Sequence, residues 1–298
     1  MFISVIVLTY NRARLLNNCL DSLVKQKFPK TNYEIIVIDD GSTDNTSTLV
    51  NNYDVKYVKQ KHAGVSATRN NGLKHAKGDV LCFVADDYIL PKNYLSTINA
   101  FFKKNKSIDV VSFNICAQGN NLYSKINDLH YKTRLRGTIN ITNKHKNEIN
   151  NILPASGAAA FKKTVFEDLG MFDEQFFCLE DLDFAIRMKF ENIKHEYNST
   201  KILRVNNKTL IPSLKEQFYK GKTFFYLKKK WGSKFKPSLK TNLLGVLTVF
   251  FATPILTLVR VMKLSFLKAA LFFFFMLTLD YSFFMGYLFA YVEFFKKS

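Results

Sequence analysis

Three acidic pairs stand out by residue type and position: Asp39-Asp40, Asp86-Asp87 and Glu180-Asp181. The first follows Ile35-Ile36-Val37-Ile38 and leads into Gly41-Ser42-Thr43. A strand ending in a turn, with Asp and Ser capping the next helix, accounts for any one of these residues. Two carboxylates at the mouth of a sheet also suit a base or a ribose, whose N–H and hydroxyl groups need acceptors. The second pair follows Cys82-Phe83-Val84-Ala85. Adjacent acids there are either solvated turn residues or the holder of a divalent cation. Mg2+ and Mn2+ bind through few carboxylates plus phosphate oxygens, so a sparse acidic site is enough. The third pair opens a helix marked by Leu182, Ile186 and Phe190 at four-residue spacing. Acids at a helix start offset its dipole, and a carboxylate there is also well placed as a general base.

Two further segments belong with these pairs. Gly64-Val65-Ser66-Ala67-Thr68-Arg69-Asn70-Asn71-Gly72 reads as a turn into a helix, with Arg69 either on the surface or clamping a phosphate. The small-residue run Ser156-Gly157-Ala158-Ala159-Ala160 serves close packing or lets a sugar approach the backbone.

These residues need a scaffold, and residues 1–212 supply one. Residues 2–8, 33–38, 55–58 and 80–84 are apolar, β-branched runs that suit buried parallel strands. Between them, 15–24, 43–53 and 66–76 read as helices, and 91–104 as a further helix opening on Pro91. Alternating strand and helix implies a Rossmann-like, mostly parallel α/β sheet with helices on both faces. Such sheets bind ligands beyond the carboxyl ends of their strands, where the first two acidic pairs fall.

Beyond residue 212 the character changes. Residues 213–240 form a lysine-rich, aromatic-interleaved belt that reads as an amphipathic, membrane-proximal segment. Residues 241–298 hold two apolar stretches, 243–259 and 269–292, the second interrupted by Asp280. They read as C-terminal apolar helices in a hairpin that anchors the chain at the cytoplasmic membrane face, spanning or lying in the interface. The net charge of +19 calls for an anionic partner. Because the basic belt adjoins apolar segments, anionic lipid explains it more simply than nucleic acid does. Four scattered cysteines with no CxxC pair argue against a zinc site and a disulfide framework.

Taken in order, Ser4-Val5-Ile6-Val7-Leu8-Thr9-Tyr10-Asn11-Arg12, Asp39-Asp40-Gly41-Ser42, Gly64 to Asn70, Ala85-Asp86-Asp87 and Glu180-Asp181 resemble family 2 glycosyltransferases. These are inverting enzymes with the GT-A fold. The resemblance implies a nucleotide-sugar donor, a Mn2+ or Mg2+ cofactor and a glycan or lipid-linked acceptor. It implies that Thr9, Tyr10, Asn11 and Arg12 line the nucleotide pocket and that Asp39 accepts from the base, with Asp40 nearby. Arg69 would lie close to the donor, Asp86 near the ribose, and Gly157 beside the sugar. Asp87 would hold the metal, and Asp181, next to Glu180, would be the catalytic base. The chain departs from the pattern where Val84 stands in place of an acid, and where residues 203–208 carry no metal-binding His. A non-catalytic scaffold that binds nucleotide sugar or polyanion is the alternative. The sequence leaves the sugar, the base and the oligomeric state open.

Overall fold

The computed structural model describes residues 1–118, 157–205, 209–232 and 266–297. It divides into two compact units: residues 1–120 with 152–206, and residues 121–151 with 207–298.

The first unit is built on an eight-stranded sheet of order β3-β2-β1-β4-β7-β6-β8-β5. Its first half is parallel. β1 (Ile3–Thr9) lies between β2 (Tyr33–Asp39) and β4 (Val80–Ala85), and β3 (Lys56–Lys59) extends β2. β1 and β4 are buried almost throughout, which explains their continuous apolar sequence. The connecting helices are α1 (Ala13–Val24), α2 (Thr46–Val50) and α3 (Val65–His75). On α3, a Cβ added at Gly72 would collide with the Ile6 side chain, so glycine here lets the helix sit close on the sheet.

The second half is mixed. After β5 (Tyr88–Ile89) and α4 (Tyr94–Lys104), β6 (Val110–Gln118) runs parallel to β8 (His195–Val205). β7 (Ala158–Lys162) enters antiparallel between β4 and β6, and β5 pairs antiparallel with β8. The parallel sheet expected from the sequence thus covers one side, and the other is mixed, with β7 and β5 antiparallel to their neighbours and β6 parallel to β8. The short helices α5 (Thr164–Leu169) and α6 (Glu180–Phe190) pack on the core formed by Ile6, Ile36, Phe83, Phe161, Phe172 and Phe184. Phe83 meets Phe161, Phe166 and Phe172 edge-on at 5.5–6.0 Å, a favourable ring geometry.

In the second unit, α7 (Leu210–Trp231) packs along α8 (Phe266–Lys297). A Cβ on Gly221 would strike the Phe283 carbonyl, and one on Gly286 the Phe218 carbonyl, so the two backbones touch where they cross. Ser282 Oγ donates to Leu214 O at 2.7 Å, and Lys222 pairs with Glu293 at 2.8 Å. The sequence leads us to expect an apolar hairpin in this region. Its first arm, 243–259, lies outside the described residues. Its second arm belongs to α8, whose described partner is the front of the basic belt. Among the described residues, no helix is long and apolar enough to cross a membrane. Asp280 is half-buried.

Candidate active site at the carboxyl ends of the parallel strands

Thr9 ends β1, Asp39 ends β2 in register with it, and Asp86 follows the end of β4. The parallel register thus delivers two of the three acidic pairs to one edge of the sheet. The local hydrogen bonds then sort the acids into two kinds.

Asp39 is fully buried. Its Oδ1 accepts from the Ser42 backbone N–H at 2.8 Å and its Oδ2 from the Tyr57 hydroxyl at 2.5 Å. Asp40 anchors the following loop. Its Oδ1 accepts from Ala63 N and Gln60 Nε2, and its Oδ2 from Gly64 N at 3.0 Å, with His62 Nδ1 at 2.8 Å. Gly41 is needed between these elements. Its φ of +86° lies in the left-handed region, and a Cβ there would sit 2.9 Å from His62 N.

Tyr10 is 42% exposed and stacks on His62, with ring centroids 4.3 Å apart. The pair presents a flat aromatic ledge beside Asp40. Asn11, with φ of +51°, uses its side-chain oxygen to accept from Thr43 N and Asp44 N. Asn11 therefore braces the loop after β2, and its carbonyl is committed there.

Asp86 accepts from Thr9 Oγ1 at 3.0 Å and from Arg12 Nη1 at 3.2 Å. Burial lifts its pKa from the ordinary 3.8 to about 6; Arg12 pulls it back, Asp87 adds to the rise, and the Thr9 hydrogen bond lowers it. The folded state therefore holds this proton more tightly than the unfolded chain does. Ionisation costs stability as pH rises from about 4 through 6, by about 3 kcal/mol for a shift of about two units. Asp86→Asn carries no such proton. It should gain on the wild type by about 3 kcal/mol between pH 4 and pH 7 in urea unfolding. An identical pH dependence for both proteins would mean that folding does not change the proton affinity of Asp86.

Asp87 differs from the other three. Its Oδ2 accepts from Arg204 Nε at 3.0 Å, but its Oδ1 is buried with no partner among the described residues. A buried carboxylate oxygen left without a donor is costly. It fits a divalent cation held by one protein oxygen, with phosphate oxygens completing the shell. Among the described residues, no cluster of three or more His, Cys, Asp or Glu side chains could hold a metal by itself. His195 offers no help, because it opens β8 while Arg204 nearly closes it. The eight residues between them make nine steps of strand, about 30 Å.

The third acidic pair is brought to the same edge through α3. Gly64, bound to Asp40, precedes the helix, and the helix in turn grips the segment before α6. Ser66 Oγ donates to Phe176 O at 2.6 Å. Asn70 exchanges two 2.9 Å bonds with the Phe172 backbone. Arg69 Nε donates to Glu180 Oε1 at 3.2 Å, while its guanidinium lies 5.0 and 5.3 Å from the Phe83 and Phe172 ring centres. Arg69 is buried, so it does not lie on the surface; its Nε is engaged by Glu180, while its Nη1 has no hydrogen-bond partner among the described residues. Burial first and Asp181 next push the Glu180 carboxyl up to about 7, against the pull of Arg69.

Glu180 is thus occupied, and Asp181 beside it is only partly buried, with Oδ1 accepting from Leu182 N. Leu179, just before the pair, has φ of +60°, a strained value for a branched side chain. Gly157 packs on Ala85; a Cβ there would lie 3.0 Å from Ala85 Cβ, so close packing accounts for this glycine. Tyr57, Gln60, His62 and Arg204 carried no local sequence signal, yet they set the geometry of three of the acids.

The same fold occurs in solved glycosyltransferases. The mannosyltransferase PcManGT from Pyrobaculum calidifontis, in complex with GDP-Man and Mn2+, superposes with a TM-score of 0.64 at 18% identity, over 97% of this chain and 86% of that one. TarS residues 1–349 of S. aureus in complex with UDP-GlcNAc gives 0.55 at 18% identity, over 96% and 90%. The architecture is GT-A-like: an α/β mixed sheet flanked by helices. Residues 4–170 match Glycosyl transferase family 2, and the chain belongs to that family. Poly(ribitol-phosphate) beta-glucosyltransferase of Bacillus spizizenii is 42% identical over 115 residues, which are 36% of this chain and 18% of that protein. Poly(ribitol-phosphate) beta-N-acetylglucosaminyltransferase TarS of Staphylococcus aureus is 38% identical over 113 residues, 36% of this chain and 20% of that protein. The matched stretch thus spans about a fifth of the length of these relatives.

Proposed function

We propose that this chain is an inverting glycosyltransferase that moves a sugar from a nucleoside-diphosphate sugar to a hydroxyl of a cell-surface or lipid-linked glycan. The observation that carries this reading is the division among the acids. Asp39, Asp40 and Asp86 spend both carboxylate oxygens, and Glu180 its Oε1, on holding the scaffold, while Asp87 keeps an unpartnered oxygen and Asp181 is partly exposed. These two are the carboxylates left to face ligand.

The chemistry follows from that division. The Tyr10–His62 ledge offers a ring face to the base, and Arg12 at the mouth offers N–H donors to the diphosphate. Asp181 takes the proton of the acceptor hydroxyl as its oxygen bonds to the anomeric carbon. The bond from that carbon to the diphosphate oxygen breaks, and the electron pair leaves with the diphosphate. Positive charge builds on the sugar ring, and attack from the face opposite the leaving group inverts the anomeric centre. A divalent cation bound at Asp87 Oδ1 would supply positive charge to the departing diphosphate.

Two relatives are named for transfer to poly(ribitol-phosphate), which supports an envelope polymer as the acceptor. We place the chain at the cytoplasmic membrane face on the strength of the lysines of 215–240 and the apolar stretches beyond them. Sedimentation with vesicles rich in anionic lipid, lost in 0.5 M salt or with neutral vesicles, is expected; no sedimentation under any condition would remove this placement. The reading of the cleft is tested by calorimetry against a panel of UDP- and GDP-sugars with and without Mn2+. At least one donor should bind in the micromolar range, and silence across the panel would favour a polyanion-binding scaffold.

A further inference from the structure

The acidic pair of the cleft is also a double ion pair. Arg12 Nη1 lies 3.2 Å from Asp86 Oδ1, and Arg204 Nε lies 3.0 Å from Asp87 Oδ2. The second contact is built into the sheet. In the β5–β8 ladder Arg204 stands opposite Tyr88, and the Val205 N–H donates to the Asp87 carbonyl at 2.8 Å. The backbone of β8 is thus tied to the residue whose side chain Arg204 holds. The Asp87 side chain is 6% exposed and that of Arg204 is 25% exposed. Two carboxylates facing two guanidiniums sum to no net charge.

We propose that Arg204 is a resident competitor for the divalent cation at Asp87, so that the protein alone binds Mn2+ or Mg2+ weakly. The inference rests on the reading of Asp87 as the cation-binding carboxylate. Its physical basis is local. A divalent ion arriving at Asp87 Oδ1 meets a carboxylate whose charge is already shared with a guanidinium in a poorly hydrated site. The fixed positive charge of Arg204 repels it across the same carboxylate. Arg204 also occupies Oδ2, which denies the ion a two-oxygen grip. A diphosphate restores both missing elements, because it brings negative charge and phosphate oxygens as ligands. Cation binding therefore becomes conditional on the donor, and the empty cleft stays closed to adventitious metal.

The test uses Mn2+ alone as probe, on the full chain without nucleotide, read by electron paramagnetic resonance of the free ion. Arg204→Gln removes the charge and uncovers Oδ2. It should bind Mn2+ at least about tenfold more tightly than the wild type. Arg204→Lys keeps the charge and should stay within about twofold of the wild type. An Arg204→Gln affinity within threefold of the wild type overturns the proposal, and so does a Lys variant as tight as the Gln variant. Should the Gln variant fail to fold, as judged by its melting curve, Arg204→Met is measured by the same criterion. Because no nucleotide is present, this result stands apart from the donor panel. A silent panel with a tightened Gln variant would sink the donor reading alone, and a binding donor with an unchanged Gln variant would sink the competitor alone.

Discussion

Asp181→Asn should lower kcat for sugar transfer by about 10²–10⁴-fold while donor affinity changes by no more than a few fold. The substitution keeps size and hydrogen-bonding capacity and removes only the ability to take a proton. Asp181 is the partly exposed member of its pair, while the neighbouring Glu180 is tied to Arg69. Glu180 is therefore a positioning residue. Its ion pair pins the first turn of α6, and the left-handed Leu179 turns the chain into that turn. Steady-state kinetics with a calorimetric donor Kd for the same variant separate the two effects. A variant that keeps wild-type kcat removes Asp181 as base. A variant that loses donor binding instead would assign Asp181 to the donor pocket.

Arg69→Ala should destabilise the glycosyltransferase domain by about 3–5 kcal/mol. Both partners of the Arg69–Glu180 pair are buried, their side chains 6% and 7% exposed. Removing the arginine strands Glu180 in the core and empties the slot between Phe83 and Phe172. For a domain of this size the loss corresponds to about 10 °C in Tm. Differential scanning calorimetry at pH 8, where Glu180 with its pKa of about 7 is ionised, gives the largest effect. At pH 5 the stranded Glu180 takes up its proton, so the deficit should shrink. A drop of less than 1 kcal/mol at pH 8 would show that the pair is not the lock between α3 and α6.

The parallel half of the sheet was legible because its signal is local. Runs such as Ile35-Ile36-Val37-Ile38 are buried on both faces and need no partner to be recognised. The three acidic pairs were legible for the same reason, each ending a run or opening a helix. The mixed half was not. β8 reads His195-Glu196-Tyr197-Asn198 before it turns apolar, and it becomes a strand through pairing with β6, some eighty residues earlier. The roles of individual carboxylates were hidden for a related reason. Asp87 meets Arg204 across 117 residues and Arg69 meets Glu180 across 111. No local pattern announces such contacts. The sequence showed only that a histidine was missing near residue 204, whereas the fold puts a guanidinium on the Asp87 carboxylate there.

The most direct test of glycosyl transfer with inversion at this cleft is proton NMR of the anomeric signal. The protein is incubated with an α-linked nucleotide sugar chosen from the binding panel, and the first sugar transferred to acceptor or water is observed before mutarotation. Release of β-configured sugar with stoichiometric nucleoside diphosphate, absent in Asp181→Asn, is the predicted result. An α-configured product, or β-product formed equally by Asp181→Asn, would contradict it.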